Sequence, residues 1–261
     1  MNIKKLITIM AAAAVMLPVA SHAAPVVYDL ALPNISTFDN TITGTGSTVQ
    51  VVQVVDGSAI YNYLDSNNVM QTLTVTRANG SPAIASGGYT SGSHSLSGSV
   101  YNINPSNNGT DAIPGQSSGL HFAFSSAVNA FGFEIGDWAT CCTSSGPRPT
   151  PGVPLYGSGL WIAFNGGAAT LPANALSAND NPGYALDGSF TNFIGAIDSS
   201  GTFNSLDFWG DGFGEFLVAG GSFRFASVPL GSVGVPEPGS LALLGLGIAG
   251  LASLRKRKNA A

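Results

Sequence analysis

The 261-residue chain holds nine Lys and Arg, fourteen Asp and Glu, 34 glycines and two cysteines. Between Ala24 and Gly234 there is no lysine, and three arginines (Arg77, Arg148, Arg224) face thirteen carboxylates, a net charge of −10. Such a surface repels phosphate backbones and excludes nucleic acid as a partner, while 14 Phe and 3 Trp exclude a chain too polar to collapse.

The N-terminus begins with Lys4 and Lys5, runs apolar from Leu6 to Ala20, and then meets Ser21-His22-Ala23. That order is a secretory signal peptide, with small residues at −3 and −1 of a cut after Ala23. Pro18 interrupts the apolar run, which is short for a span of ~20 residues. Residues 1–23 are therefore expected to form a signal helix that the export machinery engages and signal peptidase removes.

From residue 24 to 230, helical periodicity is nearly absent, and alternation and turn chemistry dominate. Val49–Val55 and Met70–Thr76 read as strands, with Leu96–Ile103 weaker. Gly/Ser clusters at 81–92 and 104–119 separate these from a more strongly patterned half. There Leu120–Phe124 leads to Val128, and Phe131, Phe133 and Ile135 alternate with Gly132, Glu134 and Gly136. Leu160–Phe164 is closed by Asn165-Gly166-Gly167, a hairpin turn sequence. Phe190–Ile197, Ser205–Trp209, Gly214–Val218 and Ser222–Val228 complete the set. Short strands between turns predict one all-β domain, an antiparallel β-sandwich of jelly-roll type, with a Pro/Gly/Ser-rich loop near 139–158.

Residues 231–261 form a linker and tail. Val235-Pro236-Glu237-Pro238-Gly239-Ser240 precedes the uncharged Leu241–Leu254 and then Arg255-Lys256-Arg257-Lys258. As an apolar helix, residues 241–254 rise about 21 Å, short of a ~30 Å hydrocarbon core unless flanks and snorkelling basic side chains extend it. The basic cluster is expected to stay cytoplasmic. Gly245-Leu-Gly247-Ile-Ala-Gly250 imitates a dinucleotide-binding string, but too little chain follows it for a βαβ unit.

Pro236, Glu237 and Pro238, the Leu/Gly/Ala-rich run and the Arg255–Lys258 cluster together resemble the PEP-CTERM sorting signal. The resemblance implies recognition and cutting by an exosortase, an integral-membrane cysteine protease. It also implies a transient inner-membrane hold, then delivery to the surface or extracellular matrix of a Gram-negative bacterium. More loosely, Phe131–Trp138, Phe193–Asp198 and Phe203–Phe208 resemble the lectin-like β-sandwich ectodomains found ahead of such tails.

Candidate chemistry is sparse. His94 lies in a Gly/Ser-rich stretch and His121 begins a strand; no nucleophile elbow accompanies them, so no catalytic residue is assigned. Among the carboxylates that glycoside hydrolysis would need, Glu134 is expected to face solvent, out of phase with the phenylalanines, and Asp137 to sit at a strand end. Calcium is the favoured metal, since Asp207, Asp211 and Glu215 share a Gly-rich segment that Asp137, Asp180 and Asp198 could approach; the alternative is that these residues make turns. Trp138, Trp161 and Trp209 are candidates for stacking on sugar rings, with core packing as the default. Thr41, Thr43 and Thr45 read as an exposed strand. Cys141 and Cys142 are adjacent, with Cα atoms ~3.8 Å apart, below the usual disulfide range; a strained ring, a link to another chain and free thiols all stay open. The expected function is structural or adhesive and non-enzymatic, in exopolysaccharide or biofilm. A calcium-assisted carbohydrate-binding module comes second and a polysaccharide hydrolase third.

Overall fold

A computed structural model describes residues 25–103, 119–140, 158–210 and 217–233. The sequence of elements is dominated by strands: β1 (Val26–Ala31), β2 (Gln50–Gln53), β3 (Ile60–Leu64), β4 (Met70–Arg77), the short hairpin β5 (Thr90–Ser91) and β6 (His94–Ser95), and β7 (Val100–Ile103). The second half adds β8 (Leu120–Val128), β9 (Ala130–Gly136), β10 (Ser158–Phe164), β11 (Thr170–Ala175), β12 (Thr191–Ile197), β13 (Phe203–Gly210) and β14 (Leu217–Ala226). Two short helices, α1 (Ser36–Thr43) and α2 (Pro182–Asp187), and a single 3-10 turn at Leu32–Asn34 complete the described elements.

The strands form two six-stranded antiparallel sheets. One runs β1-β12-β9-β14, with the far edge of β14 shared by β7 and β2; the other runs β11-β10-β13-β8-β4-β3. Alternation along each strand sends one set of side chains between the sheets, which is the sandwich the sequence predicts. Phe122 of one sheet lies 5.1–5.7 Å, ring centre to ring centre, from Phe131, Phe133 and Phe223 of the other. Edge-on and offset contacts of this kind add to the area each ring removes from water.

Several expected elements are redrawn. Gly214–Val218 and Ser222–Val228 are not two strands; Leu217–Ala226 is one strand carrying a bulge. Gly220 (φ 147°) and Gly221 (φ 60°) adopt backbone conformations open to glycine, so the Gly pair kinks a strand instead of ending it. Thr41 and Thr43 belong to helix α1, not a strand, and Thr45 follows it. Their hydroxyls donate to the carbonyls of Thr37, Asn40 and Ile42, at 2.9, 3.4 and 2.7 Å. Phe38 and Ile42, one helical turn apart, bury the inner side of α1 against Phe193 and Ile197. Strand β11 escapes the sequence pattern because Pro172 interrupts it, which an edge position tolerates. The Asn165-Gly166 turn is as expected, with φ of 53° and 66° and the Gly167 N–H bonded to Phe164 O at 2.9 Å, a type I′ turn joining β10 to β11.

Among the described residues no helix is long and apolar enough to cross a membrane. The expected signal helix, the apolar helix at 241–254 and most of the 139–158 loop lie outside the described residues.

Candidate functional site

The outer face of the first sheet carries a buried polar chain where open solvent was expected. Glu134 of β9 is 3% exposed, which corrects its reading as a solvent-facing residue. The parity was right, since its side chain points away from Phe133 and Ile135, but the segment around Ser97 folds over that face. The Ser97 N–H and hydroxyl donate to the Glu134 carboxylate at 2.7 and 2.6 Å, and the buried Ser222 hydroxyl donates at 2.6 Å. Arg224 then donates from Nη1 to Ser222 Oγ at 2.7 Å and pairs through Nε with Asp39 of α1 at 3.1 Å. The network thus ties α1, β9, β14 and the segment before β7 together. Buried carboxylates persist only where donors replace water, and here three do.

The outer face of the second sheet holds Asp207, Trp161 and Trp209 of the predicted metal and stacking set. Asp207 lies opposite His121 across β13 and β8, both out of phase with the inward Phe122 and Phe208. His121 Nδ1 and Asp207 Oδ1 are 2.7 Å apart, and that bond holds the imidazole pKa above its ordinary value. Trp161 and Trp209 face one another across β10 and β13, but they are 4% and 5% exposed and pack with Ala163 and Leu171. Trp138 is 1% exposed and joins the main core. In this conformation none of the three rings presents a free face to a sugar. The indole N–H groups of Trp138 and Trp209 are buried without a hydrogen-bond partner.

The other carboxylates have local duties. Asp137 sits just beyond β9 with φ 60°, half-buried; burial raises its pKa, and the Tyr89 hydroxyl lies 3.4 Å from its Oδ1. Asp180 accepts the Leu176 N–H, and Asp198 accepts the N–H groups of Ser200 and Gly201, which is turn chemistry. His94 pairs with Asp187 at 2.6 Å. Among the described residues no group of three or more His, Cys, Asp or Glu is gathered as a metal site. Asp211, Glu215, Cys141, Cys142 and the tail residues Pro236, Glu237, Pro238, Arg255, Lys256, Arg257 and Lys258 lie outside the described residues.

Two features escaped sequence reasoning. The His121–Asp207 pair joins residues 86 positions apart, and only their shared parity on facing strands hinted at it. Asp29 of β1 has a carboxyl oxygen, Oδ1, that is buried without any hydrogen-bond partner. Nothing in its local sequence marks it.

Body and tail together define an exported all-β protein with a sorting signal at its C-terminal end. Residues 234–258 match the family model of the PEP-CTERM protein-sorting motif. That signal is the mark of an exported protein handled by exosortase and associated with the cell envelope or surface. No curated protein and no solved structure matches the chain.

Proposed function

We propose that this protein is a non-enzymatic structural or adhesive component of the cell surface or the exopolysaccharide and biofilm matrix. On this reading the tail holds it briefly in the inner membrane of a Gram-negative bacterium before exosortase releases it. The observation that carries the proposal is the sorting motif at 234–258 joined to a domain of net charge −10. Supporting it, the described carboxylates beside histidines or at turns are engaged in pairing and turn-making. A soluble matrix protein needs that stability more than it needs a reactive cleft.

Replacing Pro236-Glu237-Pro238 with alanines, or deleting 235–261, is expected to abolish processing and strand the protein in or behind the inner membrane. Fractionation with immunoblotting reads both, and biofilm mass should fall in the same strain. Unaltered surface delivery would contradict the sorting role, and normal biofilm with mislocalised protein would contradict the adhesive one.

A calcium-assisted carbohydrate-binding module is the second reading. It is favoured by Asp207 of β13, close in sequence to Asp211 and Glu215 and two positions from Trp209, whose indole N–H is unpartnered. Millimolar calcium should then raise the melting temperature by several degrees; an unchanged melt sinks this reading.

A further inference from the structure

Asp29 poses a chemical problem that its own domain leaves unsolved. It lies on β1, the edge strand of the first sheet, in register with Ile194 of β12. By alternation it shares the inward side of β1 with Val27 and Ala31, away from Tyr28 and Leu30, which pack toward α1. Helix α2 packs against this strand, and between them lies a cleft of about 360 Å³ lined by Asp29, Leu30, Ala31, Asn34, Pro182, Ala185 and Leu186. Ala31, Pro182, Ala185 and Leu186 give that wall aliphatic side chains, beside Asp29 and Asn34. Asp29 is part of that lining, and its Oδ1 is buried with no donor.

A carboxyl group in such a place costs the fold stability unless a donor reaches it or it keeps its proton. Burial pushes the Asp29 carboxyl up to about 7. The other ionisable groups on the elements packed here give it no cation: they are Tyr28 of β1 and Tyr184 and Asp187 of α2, and Asp187 is already held by His94. A lysine is absent from the whole span between Ala24 and Gly234. A positive hydrogen-bond donor carried on something that aliphatic walls accept would supply the missing partner.

We propose that the cleft between β1 and α2 is a binding site for a protonated primary amine on a short aliphatic stem, with the Asp29 carboxylate as its anionic partner. An ammonium group donates three hydrogen bonds, enough to engage the carboxylate and the Asn34 side-chain oxygen together. The stem would cover Pro182, Ala185 and Leu186, where an uncharged polar ligand gains little. Because the ammonium prefers the ionised carboxyl, binding displaces the Asp29 proton, and affinity rises with pH.

The test is a calorimetric titration of the full chain with n-butylammonium, with n-butanol as its uncharged counterpart. Saturable binding of the amine is expected at pH 8. At pH 5.5 it should be about thirtyfold weaker, because the ionised fraction of Asp29 falls by that factor. Asn at position 29 keeps the shape and removes the charge, so Asp29→Asn should abolish binding while leaving the fold intact by circular dichroism. Ala185→Phe keeps the carboxyl and fills the cleft, and it should also abolish binding. Equal binding of butanol, retention of binding in either variant, or no saturable binding at pH 8 would each overturn the proposal. Glucosamine serves as a third probe: tighter binding than butylammonium would overturn the aliphatic stem.

Discussion

Gly221→Ala is expected to lower the unfolding free energy by about 4 kcal/mol, summing the strain of a left-handed alanine and the loss of a buried carboxylate's hydrogen bonds. Gly221 holds φ at 60°, and a Cβ built there would stand 2.2 Å from Glu134 Oε2 and 3.0 Å from its Cβ. The carboxylate cannot retreat, because the Ser97 N–H, the Ser97 hydroxyl and the Ser222 hydroxyl all converge on it. Nor can the backbone shift cheaply. The Gly221 N–H bonds Ser99 O and its carbonyl accepts the Val54 N–H, each at 2.9 Å. Gly98 also crowds that carbonyl, since a Cβ on Gly98 would lie 2.3 Å from it. Gly57 offers the control: its φ is 76°, but nothing lies within 4 Å of an added Cβ. Gly57→Ala should therefore cost only the backbone strain, about 1–2 kcal/mol. Urea unfolding of the two variants separates the contributions; equal midpoints would show that the approach to Glu134 carries no energy.

The same region shows what a sequence pattern conveys and what it omits. Alternation of Phe131, Phe133 and Ile135 against Gly132 and Glu134 gives β9 and the direction of each side chain. Whether the outward side meets water depends on a segment nearly forty positions away, and periodicity carries no information about that. All seven residues of β9 are buried, although only Phe131, Phe133 and Ile135 have the inward parity. The glycines were the available signal: Gly132, Gly136 and Gly221 each lack room for a Cβ, crowded by Phe193 of β12, by Tyr89 and by Glu134 respectively. Helix α1 failed for a different reason. Thr41, Thr43 and Thr45 alternate as a strand would, and an eight-residue helix offers too few turns for its own period to outvote them. Phe38 and Ile42, four apart, were the better guide. Turn chemistry needed no distant partner, so Asn165-Gly166 was read correctly from the two residues alone. For Asp29 and for the His121–Asp207 pair, the deciding neighbours come from other strands and from α2, so no local pattern could reveal them.

Glu134→Gln should destabilise the domain by about 3 kcal/mol, the scale for turning a satisfied buried carboxylate into a mismatched one. The isosteric amide can keep one acceptor oxygen, enough for the two serine hydroxyls that share Oε1. Its NH₂ then replaces Oε2 and faces the Ser97 N–H, a donor meeting a donor across 2.7 Å. A solvent-facing glutamate in the same strand would tolerate the change within about 0.5 kcal/mol, so denaturant unfolding distinguishes the two environments cleanly. The mechanism makes a sharper demand on the pair of sites. If the cost of Gly221→Ala comes largely from driving the carboxylate out of its recess, removing the carboxylate first should relieve it. In a Glu134→Ala background, where the 2.2 Å approach to Oε2 is gone and only the 3.0 Å approach to Cβ remains, Gly221→Ala should cost little beyond its backbone strain, leaving a coupling energy of about 2 kcal/mol in a double-mutant cycle. Additive costs would mean that Gly221 is required by the bulge alone, and that Glu134 merely occupies space the bulge leaves.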